Sequence, residues 1–136
     1  MVKELTIEAT IENVDKAIEF INNELDALGC INKTKMEISV AADEIFANIV
    51  NYAYEHKIGK ATIGVEQKEN PKAVVLTFVD NGVPFDPLEK EEPNTTLSAE
   101  ERKIGGLGIL IVKRIMDEVD YKFEDNQNIL KITKYM

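Results

Sequence analysis

With 136 residues, the chain is long enough for one domain with a real core and too short for two ordinary ones. Its 44% hydrophobic and 30% charged content are those of a soluble globular protein, and apolar runs such as Ile109-Leu110-Ile111-Val112 are too short to span a bilayer. The net charge of 16 − 25 = −9 excludes a non-specific nucleic-acid binder, yet leaves room for a nucleotide, whose phosphates can be met by Mg²⁺, backbone amides and a few local cations.

The opening residues, Met1-Val2-Lys3-Glu4-Leu5, lack the charged-then-apolar pattern of a secretory signal, so the expected compartment is the cytoplasm. Leu5 to Ala9 alternates apolar and polar residues, the period of a half-buried strand. Asn13 or Asp15 then offers an N-cap to a helix with Val14, Ala17, Ile18, Ile21, Leu25 and Leu28 on one stripe, and Gly29 is a natural stop. Cys30, the single cysteine, can form no internal disulfide, and without a neighbouring histidine it reads as an inert core thiol.

A second helix is expected from about Asn32 to Glu55, with Ile38, Ala41, Ala42, Ile45, Ile49, Tyr52 and Ala53 as its apolar stripe. Glu44 and Asn48, four residues apart, project from one side of it. A carboxylate there can serve as a base, and an amide oxygen can bind a hard cation such as Mg²⁺. The solitary histidine, His56, falls at the expected helix end, where it serves the dipole and solvent; catalytic triads and multi-histidine metal sites are set aside.

Two strands follow, Ala61 to Gln67 and Ala73 to Val79, joined by a turn at Glu69-Asn70-Pro71-Lys72. Asp80-Asn81-Gly82 ends the second strand; it reads as an ordinary turn or as a carboxylate poised to accept a hydrogen bond from an exocyclic amine, with Gly82 leaving room for a base. Residues 88 to 104 are polar and without period, and a loop of that length is functional or disordered. Gly105-Gly106-Leu107-Gly108 then opens a third helix carrying Leu110, Ile111, Ile115 and Met116. Its glycines can pack the helix start tightly or offer amides to phosphate oxygens, with Arg102 and Lys103 as the nearest cations. No P-loop pattern is present, and no strand feeds directly into this helix as a dinucleotide-binding unit requires. A hairpin about Asp125-Asn126-Gln127-Asn128 closes the chain, joining Tyr121 to Glu124 with Ile129 to Ile132. The order β-α-α-β-β-loop-α-β-β predicts one α+β domain over residues 1–136, a two-layer sandwich with a mixed, mainly antiparallel sheet and helices on one face.

In order and spacing, three segments resemble the motifs of the GHKL superfamily of ATP-binding domains, and most nearly the stand-alone anti-sigma factor serine kinases of the RsbW and sporulation type. They are Glu44-Ile45-Phe46-Ala47-Asn48 with the trailing Tyr52-Ala53-Tyr54, then Asp80-Asn81-Gly82-Val83-Pro84-Phe85-Asp86-Pro87, then Gly105-Gly106-Leu107-Gly108 through Val112, with Met116-Asp117 after it. The resemblance spans nearly the whole chain. It implies ATP and Mg²⁺ as cofactors, Asn48 as the metal ligand and Glu44 as the base that orients a serine hydroxyl of a partner protein. It implies that Asp80 accepts the adenine amino group, that Gly82 lines the base pocket, and that Gly105, Gly106, Leu107 and Gly108 bring backbone to the phosphates beneath a lid at 88–104. The implied activity is that of a protein serine kinase in a partner-switching circuit. Its implied partners are a STAS-type anti-sigma antagonist, a sigma factor and a second copy in a homodimer, with no nucleic acid and no membrane among them. A catalytically silent, nucleotide-gated module that sequesters a partner is the alternative. A sensor histidine kinase is disfavoured, because no helix bearing a phospho-acceptor histidine precedes the fold and His56 is misplaced for that role. The chain departs from the superfamily in three places: Ile104 stands where a basic residue is common, Val83-Pro84 where another glycine is common, and Asn126-Gln127-Asn128 where a Gly-Thr pair is common.

Overall fold

The computed structural model describes residues 2–54, 57–84 and 107–136. His56, Arg102, Lys103, Gly105, Gly106 and the loop at 88–104 lie outside them. Strand β1 (Lys3–Glu8) leads through a single 3-10 turn into α1 (Val14–Ala27). Helix α2 (Asn32–Asn48) follows and widens without a break into a π-helical turn (Ile49–Ala53). Strands β2 (Lys60–Lys68) and β3 (Ala73–Asp80), helix α3 (Leu107–Ile115), and strands β4 (Glu118–Glu124) and β5 (Gln127–Tyr135) complete the order.

The strands form one sheet in the order β1-β2-β3-β5-β4, and each of its four pairings is antiparallel. The expected mainly antiparallel sheet is therefore antiparallel throughout its described strands. Its turns follow from local chemistry. Gly29 adopts φ +78 after α1, a conformation that costs a glycine little. Asp125 and Asn126, with φ 53 and 61, make the two-residue β4–β5 turn, whose left-handed residues match the twist of the flanking strands.

One face of the sheet carries the core. Val74, Leu76 and Phe78 of β3, Ala61, Ile63 and Val65 of β2, and Leu130 and Ile132 of β5 pack beneath the three helices. The apolar stripe of α1 buries Ala17, Ile21 and Leu25, and that of α2 buries Ile38, Ala41, Ala42, Ile45 and Phe46. Between α1 and α2, Ser39 donates to Asn22 Oδ1 at 2.8 Å and Lys35 pairs with Asp26. Asn13 stands at the N-cap of α1 as expected, but its side chain makes no cap hydrogen bond; its amide donates to the Glu8 carbonyl instead, tying the end of β1 to the start of α1. Cys30 is half-buried against the core, and burial pushes its thiol up, as an unreactive cysteine requires. The opposite face of the sheet is polar where β1 meets β2: Thr6 and Thr62, cross-strand partners, share a 2.8 Å hydrogen bond.

Candidate functional site

The end of α2 is where the helical layer opens. In α2 the backbone closes i to i−4 hydrogen bonds; the π turn adds a residue to the loop and widens the helix, a device that recurs at functional sites. Its consequence is local. Asn48, the last residue of α2, and Ile49 and Ala53 of the π turn line a cleft between this helix and the sheet, together with Ile45 one turn earlier. Phe78, Asp80, Leu130 and Asn128 form the sheet side, Tyr121 stands on β4, and Val83 closes the end. The cleft is open to solvent. Its walls are apolar apart from Asn48, Asp80, Tyr121 and Asn128, an arrangement suited to a flat ring with polar groups on its rim.

Asp80 is the charged group among the described residues that line this cleft. It is the last residue of β3 and only 6% exposed. Burial pushes its carboxyl above the ordinary value, while hydrogen bonds from the Asn128 amide and the Gly82 N–H act in the opposite direction. Asn128, also 6% exposed, is its cross-strand partner on β5. The Asn128 Nδ2 donates to Asp80 Oδ1 at 2.9 Å and to the Val83 carbonyl at 2.9 Å, and the Tyr121 hydroxyl bonds Asn128 Oδ1. The Gly82 N–H donates to the same Asp80 oxygen at 2.9 Å. Both of these hydrogen bonds land on Oδ1.

Gly82 earns its place through backbone proximity. A Cβ there would lie 2.2 Å from the Ala53 carbonyl oxygen, so only glycine lets the exit of β3 pass over the π turn. The next residue uses that approach: the Val83 N–H donates to the Ala53 carbonyl at 2.8 Å. It is thus Ala53 and Val83, on either side of Gly82, that line the cleft. Tyr54 pins the same junction from below. Its ring covers Gly59, where a Cβ would meet ring carbon Cε1 at 2.1 Å, and its hydroxyl donates to the Lys60 carbonyl and accepts from the Asn81 N–H at 2.9 Å. Burial raises the Tyr54 hydroxyl's pKa, so it is neutral and able to donate.

Glu44 is half-buried on α2, one turn before Asn48, and stands outside the cleft lining. Leu107 and Gly108 begin α3, which packs against α2. At its other end Lys134 of β5 donates to the Ile115 carbonyl at 2.5 Å and pairs with Glu37 of α2 at 3.3 Å, joining both helices to the sheet. The structure therefore brings Asn48, Asp80 and Gly82 to one junction and sets Glu44 beside it. Sequence reasoning missed Tyr121 and Asn128 as site residues. A stricter reading of the final hairpin could have found Asn128, since a two-residue Asp-Asn turn places it inside β5, directly across from Asp80.

Comparison with known proteins decides the family. The Histidine kinase-like ATPase domain family matches residues 7–134, nearly the whole chain. The chain belongs to this family. Membership of an ATPase domain family implies ATP as the class of ligand. Among curated relatives, the chain is 26% identical to "Serine/threonine-protein kinase BtrW" of Bordetella bronchiseptica over 76% of this chain and 72% of that protein. It is 26% identical to "Serine-protein kinase RsbW" of Halalkalibacterium halodurans, over 98% and 82% respectively. It is 29% identical to "Anti-sigma F factor" of Caldanaerobacter subterraneus subsp. tengcongensis, over 74% and 69%. A chain from the crystal structure of the SiaB-SiaC complex of Pseudomonas aeruginosa shares the fold, with a TM-score of 0.58 at 17% identity, covering 97% of this chain and 89% of that one. Among the described residues, no helix is long and apolar enough to cross a membrane.

Proposed function

We propose that the protein is an ATP- and Mg²⁺-dependent serine kinase that phosphorylates a STAS-type antagonist in a partner-switching circuit of the cytoplasm. The observation that carries this reading is the buried Asp80 carboxylate at the mouth of an apolar cleft, with Asn48 on the facing wall. The adenine ring fills the cleft between Ile45, Ile49, Phe78 and Leu130, and its exocyclic amine donates to Asp80. Asn48 would supply an amide oxygen to Mg²⁺. Asn48 would hold the ion through that one oxygen, and Mg²⁺ commonly keeps water and substrate phosphates as its other ligands. Bound Mg·ATP supplies the transferable phosphoryl group and part of the charge neutralisation.

Transfer of that group needs positioning more than covalent chemistry by the protein. Glu44, beside Asn48 on α2, accepts the proton of the incoming serine hydroxyl. Gly105, Gly106, Leu107 and Gly108 offer amides to the phosphates, and Arg102 and Lys103 bring positive charge to them. A sigma factor as second partner and a homodimeric assembly belong to the same reading; the relatives named as kinases and as an anti-sigma factor support it.

The test is incubation with γ-labelled ATP, Mg²⁺ and candidate STAS proteins. Label should appear on a serine of one of them, and Glu44→Ala should cut transfer at least 100-fold with ATP affinity kept, a loss typical of a removed general base. Normal turnover by Glu44→Ala would remove that role. ATP binding without transfer to any candidate would support the silent, nucleotide-gated module instead.

A further inference from the structure

The helices that cover the sheet differ on their outer sides. Along α1 the exposed positions are Asp15, Lys16, Glu19, Asn23, Asp26 and Ala27, the polar face of a helix that meets only water. Along α2 that side carries Met36 and Val40, 69% and 43% exposed and one turn apart on a single stripe. Ile111 of α3 is 40% exposed. The fold brings these three to one surface. Helix α2 ends at the cleft with Asn48, while Glu37, three turns earlier, shares Lys134 with the Ile115 carbonyl at the opposite end of the sheet. Helix α3 packs against α2 and ends at that same level, so it runs back along α2 from the cleft end. Ile111 lies one turn before Ile115, and Val40 nearly one turn after Glu37. Both therefore stand at one level on the outer side of the helix pair, with Met36 a turn further from the cleft.

We propose that Met36, Val40 and Ile111 form a docking face for the protein substrate, fitted to a partner whose surface carries an apolar patch beside its reactive serine and acidic side chains beyond that patch. The inference rests on the kinase reading above. Val40 is one turn from Glu44 on α2, about 6 Å along the helix. A folded protein that sets a serine hydroxyl at Glu44 covers far more than one turn, since a standard interface takes about 800 Å² from each partner. The outer side of α2 and α3 is continuous with Glu44 and is the apolar surface there to be covered. Adjoining exposed apolar side chains on a polar layer mark an interaction surface, and their burial is favourable. A pair of helices is convex, which suits a protein rather than a small molecule. Charge sets the polarity of the face. Asp43, exposed, adjoins Glu44 at the catalytic end. Lys33, three turns or about 16 Å from Glu44, and Arg114, one turn past Ile111, are exposed at the other end. Neither cation is in an ion pair among the described residues. On a chain of net charge −9 they mark the end that carboxylates would meet, while Asp43 opposes acidic groups next to the serine.

The experiment is calorimetric titration of the candidate STAS proteins into the intact protein saturated with Mg·ADP, which permits docking and supplies no γ-phosphoryl group. Melting temperature, ATP affinity and elution volume are recorded for each variant. One STAS protein should bind the wild type, and Val40→Lys and Ile111→Lys should each weaken that binding about 10-fold or more with ATP affinity unchanged. Val40→Ala and Ile111→Ala, milder changes at the same exposed positions, should weaken it about 3-fold and serve where a lysine variant does not fold. Lys33→Glu with Arg114→Glu should weaken binding at low salt and flatten its salt dependence. Unchanged STAS affinity in the folded Val40 and Ile111 variants overturns the proposal, whether or not phosphoryl transfer occurs. Tighter binding by the Lys33 and Arg114 double variant overturns the acidic class of partner. A shift in elution volume with STAS binding intact also overturns it, since a second copy of the chain then covers the face. STAS binding that depends on Val40 and Ile111 but leads to no phosphoryl transfer keeps the docking face and removes the kinase reading. A folded wild type that binds no STAS candidate refutes both.

Discussion

Gly82→Ala concentrates the account of the site in one methyl group. The added carbon would sit 2.2 Å from the Ala53 carbonyl oxygen and 2.6 Å from both its carbonyl carbon and its Cβ. Ordinary contact begins near 3.4 Å, so the two backbones must separate by more than an ångström. Neither can yield cheaply. Ala53 is 5% exposed and lies in the π turn, and the exit of β3 is held by the Val83 N–H on that same carbonyl at 2.8 Å. Separation breaks this bond and strains the 2.9 Å bond from the Gly82 N–H to Asp80. One lost hydrogen bond costs about 1 kcal/mol, and overpacking adds about 1–3 kcal/mol, so the variant should lose about 2–4 kcal/mol. At about 2.1 cal/mol/K per residue, 136 residues give an unfolding entropy near 0.29 kcal/mol/K, and the melting temperature should fall by about 7–14 °C. Differential scanning calorimetry reads this directly. Nucleotide affinity should fall with it, because Ala53 and Val83 both line the cleft. A variant that melts within about 2 °C of the wild type and binds ATP unchanged would refute the claim that Gly82 is required by backbone contact.

The ionisation of Asp80 makes a signed prediction. Its folded pKa is raised by burial, so between the ordinary carboxylate value and that raised value the folded state holds more protons than the unfolded state. Asp80 then destabilises the fold progressively as pH rises through this window and ceases to do so below it. The melting temperature of Asp80→Asn minus that of the wild type should therefore grow from about pH 4 to neutral pH, and a flat difference would contradict the burial argument. ATP affinity of the wild type should rise over the same pH range and fall as acid protonates the acceptor. At the far end of the helical layer, Lys134→Met removes both the cap on the Ile115 carbonyl and the 3.3 Å pair with Glu37. These groups are partly buried, and the loss should be about 1–2 kcal/mol, or about 3–7 °C in melting temperature. No change on calorimetry would mean that α3 is not anchored through Lys134.

Much of this fold is legible in the sequence because its elements carry strong local signals. The stripes of α1 and α2 bury Ala17, Ile21, Leu25, Ile38, Ala41, Ala42 and Ile45 as expected, while Val14, Ile18, Leu28 and Tyr52 are only partly buried and Phe46 is buried outside the expected stripe; Gly29 stops α1 with the left-handed conformation a glycine tolerates. The strands are legible through alternation, although β1 begins at Lys3 rather than Leu5, since Lys3 and Glu4 pair with Val65 and Gly64 and their polarity hides the pairing. Two features of the site were not legible. The π turn at Ile49–Ala53 has the same apolar spacing as an ordinary helix end, and it is the tertiary contact with Gly82 and Val83 that accompanies the widened turn. The partnership of Asp80 with Asn128 joins residues 48 positions apart through a sheet order in which β5 inserts between β3 and β4. Local pattern carries no record of that register. Family motifs pointed to Asp80 and Gly82, while Asn128 falls where this chain leaves the family pattern and Tyr121 lies outside the three motifs.

The central claim, that this cleft receives the adenine of ATP through Asp80, is tested most directly by titrating Mg·ATP into the wild type and into Asp80→Asn. The substitution keeps the shape of the side chain, removes a buried charge, and replaces an acceptor with a donor that opposes the adenine amine. The wild type should bind, and the variant should bind at least about 10-fold more weakly while melting at the same or a higher temperature. Equal ATP affinity in the two folded proteins would contradict the account.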